Sequence, residues 1–179
     1  MTATGMEVPQ VSRDSIDLPV LNSDDRDLVY KFFVLFMRFE FALKRAGFLK
    51  NGTPGAPAMA DWKSYAETLR GRLGTHSSDV MNACKELFAH PPGEQIMTDD
   101  LQLGWRAVSH RTEDSEEWRV LRLVKTVRNN LFHGGKYADP SGPVAEPARD
   151  GALLRACVSI LEACLDLSPQ LRDKFSEAA

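Results

Sequence analysis

The chain has 179 residues, of which 43% are hydrophobic, and it carries a formal net charge of -3. This length and composition predict one domain with its own core, and the charge excludes a protein that holds nucleic acid through overall basicity. Residues 1–22 contain no apolar signal segment, and no apolar run reaches the roughly 20 residues of a membrane-spanning helix. We therefore expect a cytoplasmic protein with no membrane partner.

The first predicted helix follows a flexible N-terminal segment over residues 1–22. It should begin at Ser23 or Asp24, which can cap it, and end near Ala46, before Gly47. Its apolar residues surround it almost completely, at Phe32, Phe33, Leu35, Phe36, Phe39 and Leu43. A helix with more than one apolar face suits a central position or a contact with another subunit, so self-association is predicted.

Two further helices are predicted in the middle of the chain. Glycines and prolines indicate a loop over residues 50–60, and Asp61 can then cap a helix over residues 62–73. A third helix should begin after Ser77 or Ser78 and end at the next pair of prolines. These assignments rest on capping residues and helix breakers rather than on long apolar repeats.

Residues 93–113 are ambiguous in the sequence. Leu101, Leu103 and Trp105 fit either a short helix or an ordered loop, and no segment of the chain predicts a convincing strand. The next helix should open at Asp114 or Ser115. Its predicted core stripe recurs at intervals of four and three, at Val120, Val124, Val127 and Leu131.

The last predicted helix follows a proline-containing connection over residues 138–147. Its apolar stripe is formed by Leu153, Cys157, Ile160, Cys164 and Leu167. The three cysteines lack metal-ligand spacing, so a disulfide framework or a zinc site is not expected, and Cys157 and Cys164, which lie on this stripe, are expected to be buried thiols. The predicted fold class is all-α, an antiparallel bundle of four long helices plus a short additional helix or turn. It occupies residues 23–168 as a single domain, and residues 169–179 form a C-terminal tail.

A set of phosphate-handling groups lies where the fourth long helix should end, before Gly134 and Gly135. Arg128, Asn129 and His133 provide a guanidinium, an amide and an imidazole. An imidazole transfers protons near neutral pH, a guanidinium holds phosphate oxygens through its planar fork, and an amide can orient either partner. These groups can act on a phosphodiester without a metal ion.

Helical geometry separates the members of this set. At about 100° per residue, Asn129 and His133 share the outward face, whereas Arg128 lies about 140° from His133 and near the core stripe. Either the helix unwinds before the glycines, or two copies of the chain assemble the site across a two-fold axis. An arginine near the core needs a partner, and Glu40 is the candidate for this structural ion pair. The simpler alternative is that His133 only stabilises a helix end and Arg128 only pairs with Glu40.

The other histidines and the tryptophans predict structural roles. His76, His90 and His110 lie at helix borders or in a loop and are expected to be solvated turn residues. The tryptophans are expected to anchor the core rather than to stack on bases, at Trp62, Trp105 and Trp118.

The motif segment resembles the HEPN superfamily, whose signature is an arginine followed four to six residues later by a histidine, usually with a polar residue after the arginine. Arg128, Asn129 and His133 match this pattern. Residues 38–48 also resemble the first helix of a bacterial HEPN group, so the resemblance covers about residues 24–167.

The resemblance implies a helical bundle, homodimerisation through the motif region, and metal-independent endoribonuclease activity in toxin or phage-defence systems. His133 would be the catalytic acid or base, Arg128 would stabilise the phosphate and the transition state, and Asn129 would orient them. Asn130 and Lys136 would contact the substrate. Attack by a ribose 2′-hydroxyl would leave a cyclic phosphate and a free 5′-hydroxyl.

No cofactor and no metal ion are expected for this chemistry. The expected partners are an RNA substrate, a second copy of the chain, and an antitoxin or defence-system protein. Because some HEPN domains serve as binding or assembly modules, the resemblance also allows a non-catalytic module that binds RNA, a nucleotide or a protein.

Overall fold

The computed structural model describes residues 23–50, 52–132 and 147–177. They form six helices and two small antiparallel sheets, in the order α1 (Ser23–Arg45), β1 (Leu49–Lys50), β2 (Met59–Ala60), α2 (Trp62–Thr68), α3 (Ser78–Ala89), β3 (Gly93–Met97), β4 (Leu103–Ala107), α4 (Glu116–Phe132), α5 (Pro147–Leu167) and α6 (Pro169–Ser176). The predicted helical class is confirmed. The prediction that no segment forms a strand is wrong. Three helices are clearly longer than the 12-residue α3, namely α1, α4 and α5.

The core is organised around α1, which ends close to where the sequence predicted. Phe36 and Phe39 stack on the ring of Trp62, with centroids 5.1 and 5.2 Å apart. Tyr65 of α2 then donates a hydrogen bond of 2.9 Å to the carbonyl oxygen of Cys164 in α5. Aromatic packing of this kind combines a large buried area with a preferred ring geometry, so it fixes α1 against α2 and α5.

The second helix is shorter than predicted, because α2 ends at Thr68 rather than near Leu73. Leu69 and Leu73, which suggested that the helix continues, are still fully buried, but they lie in a turn rather than in the helix. Gly71 adopts a φ of +72° in this turn and donates its N–H to the carboxylate of Glu117 at 2.7 Å. Glycine adopts this left-handed conformation with little steric cost, which allows the tight turn that follows α2.

Helix caps and apolar helix faces, which involve only residues close in sequence, were predicted correctly. The Ser77 side chain accepts a hydrogen bond from the N–H of Val80 and caps α3. Cys84, Cys157 and Cys164 are buried free thiols, as the sequence predicted for Cys157 and Cys164. Burial raises the pKa of the Cys84 thiol to about 11 and raises the pKa values of the other two thiols further, so all three are protonated at neutral pH.

Residues 93–107 form a β-hairpin instead of the short helix or ordered loop that the sequence suggested. Gln95 pairs with Trp105 and Met97 with Leu103 across the two strands. Leu101, in the connecting turn, has a φ of +62°. The strand signal is weak because Met97 and Leu103 are mostly exposed, so hydrophobic and polar residues do not alternate cleanly between a core face and a solvent face.

A further helix, α6, lies in the segment that the sequence analysis assigned to the C-terminal tail. Leu171 is buried, and the Arg38 guanidinium donates to the carbonyl oxygen of Phe175 at 2.9 Å while lying 4.2 Å from the centroid of its ring. These contacts dock α6 on α1. None of the helices formed by the described residues is long and apolar enough to cross a membrane.

Candidate functional site

The site is built on α4, the helix that carries the motif. Ser115 caps its first turn by accepting a hydrogen bond from the N–H of Trp118 at 3.3 Å. Val120, Val124 and Val127 are buried, so the predicted core stripe is confirmed along most of the helix. This stripe fixes the rotation of α4 and therefore determines which polar residues of its last turns face outwards.

Arg128 leans toward α1, as the helical angles predicted. Its guanidinium lies 5.6 Å from the ring centroid of Phe36 and 4.9 Å from that of Phe132. Nη1 also donates a hydrogen bond of 3.2 Å to Oδ1 of Asn129. The arginine is therefore oriented by two aromatic faces and one amide, an arrangement that suits its flat, delocalised cation.

The predicted ion pair between Arg128 and Glu40 is not formed. Within the described part of the chain, no carboxylate oxygen lies within 4.0 Å of the Arg128 guanidinium. Glu40 instead lies across a groove of about 240 Å³ that both residues line. Arg128 is only half-buried, so cation–π contacts and partial hydration replace the partner that a fully buried charge would need.

This groove, which we call the α1–α4 groove, runs between the two helices and is lined by Phe33, Phe36, Met37, Glu40, Phe41, Lys44, Arg128 and Phe132. Met37, Phe41 and Phe132 are 51%, 47% and 48% exposed. The rings of Phe33 and Phe132 pack with their centroids 5.1 Å apart, which joins α1 to the end of α4. An exposed apolar surface of this kind, with polar residues at its edge, is typical of an interaction site.

Asn129 and Asn130, which are adjacent in sequence, have different surroundings. Asn129 is exposed and its side-chain amide meets Arg128. Asn130 is half-buried, and its Nδ2 donates a hydrogen bond of 2.9 Å to the carbonyl oxygen of Gly93 at the start of β3. The sequence suggested that Asn130 contacts substrate, whereas here it fastens the hairpin to α4.

His133 and Lys136 lie outside the described residues, together with Gly134 and Gly135. The expected outward pairing of Asn129 with His133 therefore stays a prediction. The same holds for the two ways of bringing Arg128 and His133 together, within one chain or across a dimer.

Sequence reasoning overlooked a second cation on the same side of α4. Lys125 precedes Arg128 by three residues, a spacing that places neighbours on one helix face. Its ammonium lies 5.8 Å from the ring centroids of both Trp62 and Trp118 and has no carboxylate within 4.0 Å in the described part of the chain. Burial lowers the pKa of Lys125, so part of the favourable hydration of its charge has been lost.

A second cleft lies between the β3–β4 hairpin and α4, and we call it the hairpin–α4 cleft. It measures about 430 Å³ and is lined by Glu94, Gln95, Ile96, Arg106, Thr126, Asn129 and Asn130. Asn129 thus borders the cleft and contacts Arg128. Sequence analysis missed the cleft because one of its walls is the hairpin that was not predicted.

A small ion network supports this wall. Oε1 of Glu94 lies 3.2 Å from Nη2 of Arg122, and Oε2 lies 3.2 Å from Nη2 of Arg106. Arg122 also donates to the carbonyl oxygen of Ser109 at 2.5 Å. One carboxylate is thereby shared by two guanidinium groups, which ties the hairpin to α4 and neutralises part of their charge.

The remaining histidines are separate from the motif. His90 contacts Glu86 at 3.1 Å on the surface, and His76 lies 3.9 Å from Asp166. His110 is half-buried, and its pKa is lowered by burial and by the nearby Arg119 and Arg122, so it is less solvated than the sequence suggested.

The three tryptophans do not share one environment. Trp62 is buried in the core, as predicted, whereas Trp118 is only partly buried against it. Trp105, also half-buried, lies on the hairpin next to Asn130. Only Trp62 is therefore a full core anchor.

The described residues contain no group of three or more His, Cys, Asp or Glu side chains placed to hold a metal ion. Comparisons with protein-family models, with curated proteins and with solved structures found no match. The resemblance to HEPN proteins therefore rests on the motif and on the first-helix segment, and it stays a prediction.

Proposed function

We propose that this protein is a metal-independent endoribonuclease of the HEPN type, acting at a composite site formed by two copies of the chain. In this proposal α1, α3, α4 and α5 are the four long helices of the HEPN bundle. The protein acts in the cytoplasm as a toxin or phage-defence effector, with an antitoxin or a defence-system protein as its partner.

The observation that carries the proposal is the position of Arg128, with Asn129 bonded to it, in the lining of the exposed α1–α4 groove. Their side chains are hydrogen-bonded to each other, and the groove beside them is apolar. A second copy that buries this groove about a two-fold axis brings the corresponding edges of both chains together. The motif residues then line one shared cleft.

Charge within such a cleft favours an anionic substrate. Two Arg128 guanidinium groups that approach each other repel, and this repulsion is relieved when an anion lies between them. A phosphodiester suits this position because its oxygens accept paired hydrogen bonds from guanidinium groups. Glu40 lies across the groove from Arg128, too distant for an ion pair, so it only partly offsets the positive charge.

In the proposed reaction, one His133 accepts the proton of the ribose 2′-hydroxyl as the 2′-oxygen attacks phosphorus. The bond between phosphorus and the 2′-oxygen forms, and the bond to the 5′-oxygen breaks. The other His133, which starts protonated, donates its proton to the departing 5′-oxygen. The products are a 2′,3′-cyclic phosphate and a free 5′-hydroxyl, while Arg128 stabilises the charge on the non-bridging oxygens.

The first test is RNA cleavage in EDTA by the wild type and by His133→Ala. We expect the wild type to cleave and the variant to be slower by about 10²- to 10⁴-fold, the usual contribution of one positioned proton-transfer group. His90→Ala is the matched control, because His90 is also at a helix end but is exposed and paired with Glu86. Full activity of His133→Ala, or loss of wild-type activity in EDTA, would contradict the proposal.

The second candidate is a non-catalytic HEPN-like module that binds RNA, a nucleotide or a protein. The exposed α1–α4 groove favours it in one respect, since an apolar surface can serve association without any chemistry. Such a module binds RNA or forms dimers but leaves RNA intact in the same assay. The cleavage products therefore separate the two candidates.

A further inference from the structure

We propose that the hairpin–α4 cleft binds the base of one unpaired RNA nucleotide next to the scissile phosphate. This inference rests on the proposed function and adds to it a second site, distinct from the motif. It makes the β3–β4 hairpin the element that recognises the substrate.

The cleft lies next to Arg128. Asn129 borders the cleft and accepts the hydrogen bond from Arg128 Nη1 at 3.2 Å. A nucleotide whose phosphate lies on Arg128 therefore has the cleft beside it, on the far side of Asn129. The α1–α4 groove is lined by Arg128 and shares no lining residue with the cleft, so a second copy in that groove need not cover the cleft.

The volume of the cleft and the chemistry of its side chains favour a base over a larger or a more highly charged group. A volume of about 430 Å³ lies within the usual range of small-ligand sites, about 300 to 1,000 Å³. The amides of Gln95 and Asn129 can both donate and accept hydrogen bonds at the edges of a base. Ile96 supplies apolar surface, and the exposed guanidinium of Arg106 can stack on a base face.

The charges of the cleft argue against a free phosphate as its occupant. Glu94 and Arg106 are the charged residues among those that line it, and they lie 3.2 Å apart, so the charges of the lining side chains balance, while Glu94 also pairs with Arg122 of α4. A neutral base is compatible with this balance, whereas a phosphate would meet the carboxylate of Glu94. Two cations of α4, Lys125 and Arg128, have no carboxylate within 4.0 Å among the described residues, so we place the phosphate beside Arg128 rather than in the cleft.

Contacts within the chain hold the cleft in shape. Asn130 fastens β3 to α4 through its 2.9 Å hydrogen bond to Gly93, and Glu94 bridges to Arg122 of α4. Binding a base therefore requires little ordering of the hairpin, which lowers the entropic cost of binding. A base in a duplex would have to leave its stack to enter this site, so single-stranded RNA is the expected substrate.

Gln95→Ala is the variant that tests the inference, and Gln102→Ala is its matched control. Gln95 lines the cleft, and its side chain makes no hydrogen bond within the described residues, so its truncation leaves the hairpin intact. Gln102 is an exposed glutamine in the turn of the same hairpin and does not line the cleft. Circular dichroism of both variants verifies that the fold is retained.

Binding is measured by fluorescence anisotropy with full-length protein and 2′-O-methyl oligomers of A, C and U, whose blocked 2′-oxygen prevents cleavage. We expect the wild type to prefer one base. Gln95→Ala should weaken binding of that oligomer roughly tenfold and reduce the difference between bases, because it removes one hydrogen-bonding edge. Gln102→Ala should match the wild type. Mapping of cleavage sites on unmodified RNA should show the same loss of preference.

The outcomes separate this inference from the proposed function. If the wild type cleaves RNA and Gln95→Ala keeps its affinity and base preference, the cleft assignment is wrong and the nuclease stands. If no RNA is cleaved but Gln95→Ala selectively weakens oligomer binding, the cleft assignment stands and the nuclease is wrong. Absence of both binding and cleavage overturns both.

Discussion

The Arg128 guanidinium is held by aromatic rings and an amide, which leaves its charge without a carboxylate within 4.0 Å in the described part of the chain. A guanidinium group oriented in this way loses little side-chain freedom when it binds an anion. Lys125, one helical turn earlier, is also held against rings. At the scale of single residues, the positive charge at this end of α4 is therefore available to a phosphate.

Replacement of Arg128 by lysine tests whether its planar fork matters beyond its charge. Arg128→Lys keeps the cation but loses the hydrogen bond to Asn129 and the flat stacking on Phe36 and Phe132. We expect RNA cleavage to slow by roughly 10- to 100-fold, the effect of losing a charge-assisted hydrogen bond in the transition state. Single-turnover cleavage kinetics measure this change.

The control is Arg70→Lys, because Arg70 also contacts a nearby side chain, Glu67, but lies outside both the groove and the cleft. Urea unfolding of both variants separates lost chemistry from lost stability. A wild-type cleavage rate in Arg128→Lys would mean that a point charge is sufficient at this position.

At the scale of elements, two connections position the site. The hairpin is fastened to α4 through Asn130 and through Glu94, so the wall of the cleft follows the motif helix. The turn after α2 is fastened to the first turn of α4 through the bond from Gly71 to Glu117, whose side chain is buried. The start and the end of α4 are thus each held by an element that is distant in sequence.

Gly71→Ala tests whether the turn after α2 depends on its left-handed backbone. We expect the variant to lower the free energy of unfolding by about 1 to 2 kcal/mol, because a Cβ disfavours a φ of +72°. Urea unfolding followed by circular dichroism measures the change.

Gly52→Ala is the control for this substitution. A Cβ meets no atom within 4 Å at either glycine, but the φ of Gly52 lies outside the left-handed region. We expect this second substitution to be nearly neutral. Equal effects of the two substitutions would show that the turn after α2 does not depend on the left-handed backbone of Gly71.

At the scale of the whole molecule, Arg128 lines the α1–α4 groove and Asn129, bonded to it, lines the hairpin–α4 cleft. This arrangement separates the two roles proposed for them, since the apolar groove serves association and the polar cleft serves the base. The amide of Asn129 connects the two, because it borders the cleft and meets the arginine that borders the groove.

Met37→Glu tests association through the groove. Met37 is 51% exposed, so the isolated chain should tolerate a carboxylate there, whereas burial of that charge in a dimer is costly. We expect the dissociation constant of the dimer to rise by at least roughly a hundredfold, and RNA cleavage to fall with it. Size-exclusion chromatography with light scattering gives the mass of each species.

The matched control is Met97→Glu, at a methionine that is 69% exposed on the hairpin and outside the groove. This variant should keep the mass and activity of the wild type. A Met37→Glu protein with wild-type mass and full activity would place the dimer contact elsewhere or remove the need for one.

The sequence by itself determined the bounds of α1 and α3, the cap and core stripe of α4, and the burial of Cys157 and Cys164. These features depend on residues three or four positions apart, whose geometry is fixed once a helix forms. The tertiary structure alone decided that Arg128 meets Phe36 rather than Glu40, that residues 93–107 form a hairpin held by Asn130, and that α6 docks on α1. These contacts join residues distant in the chain, so they depend on how the helices pack, which local periodicity does not specify.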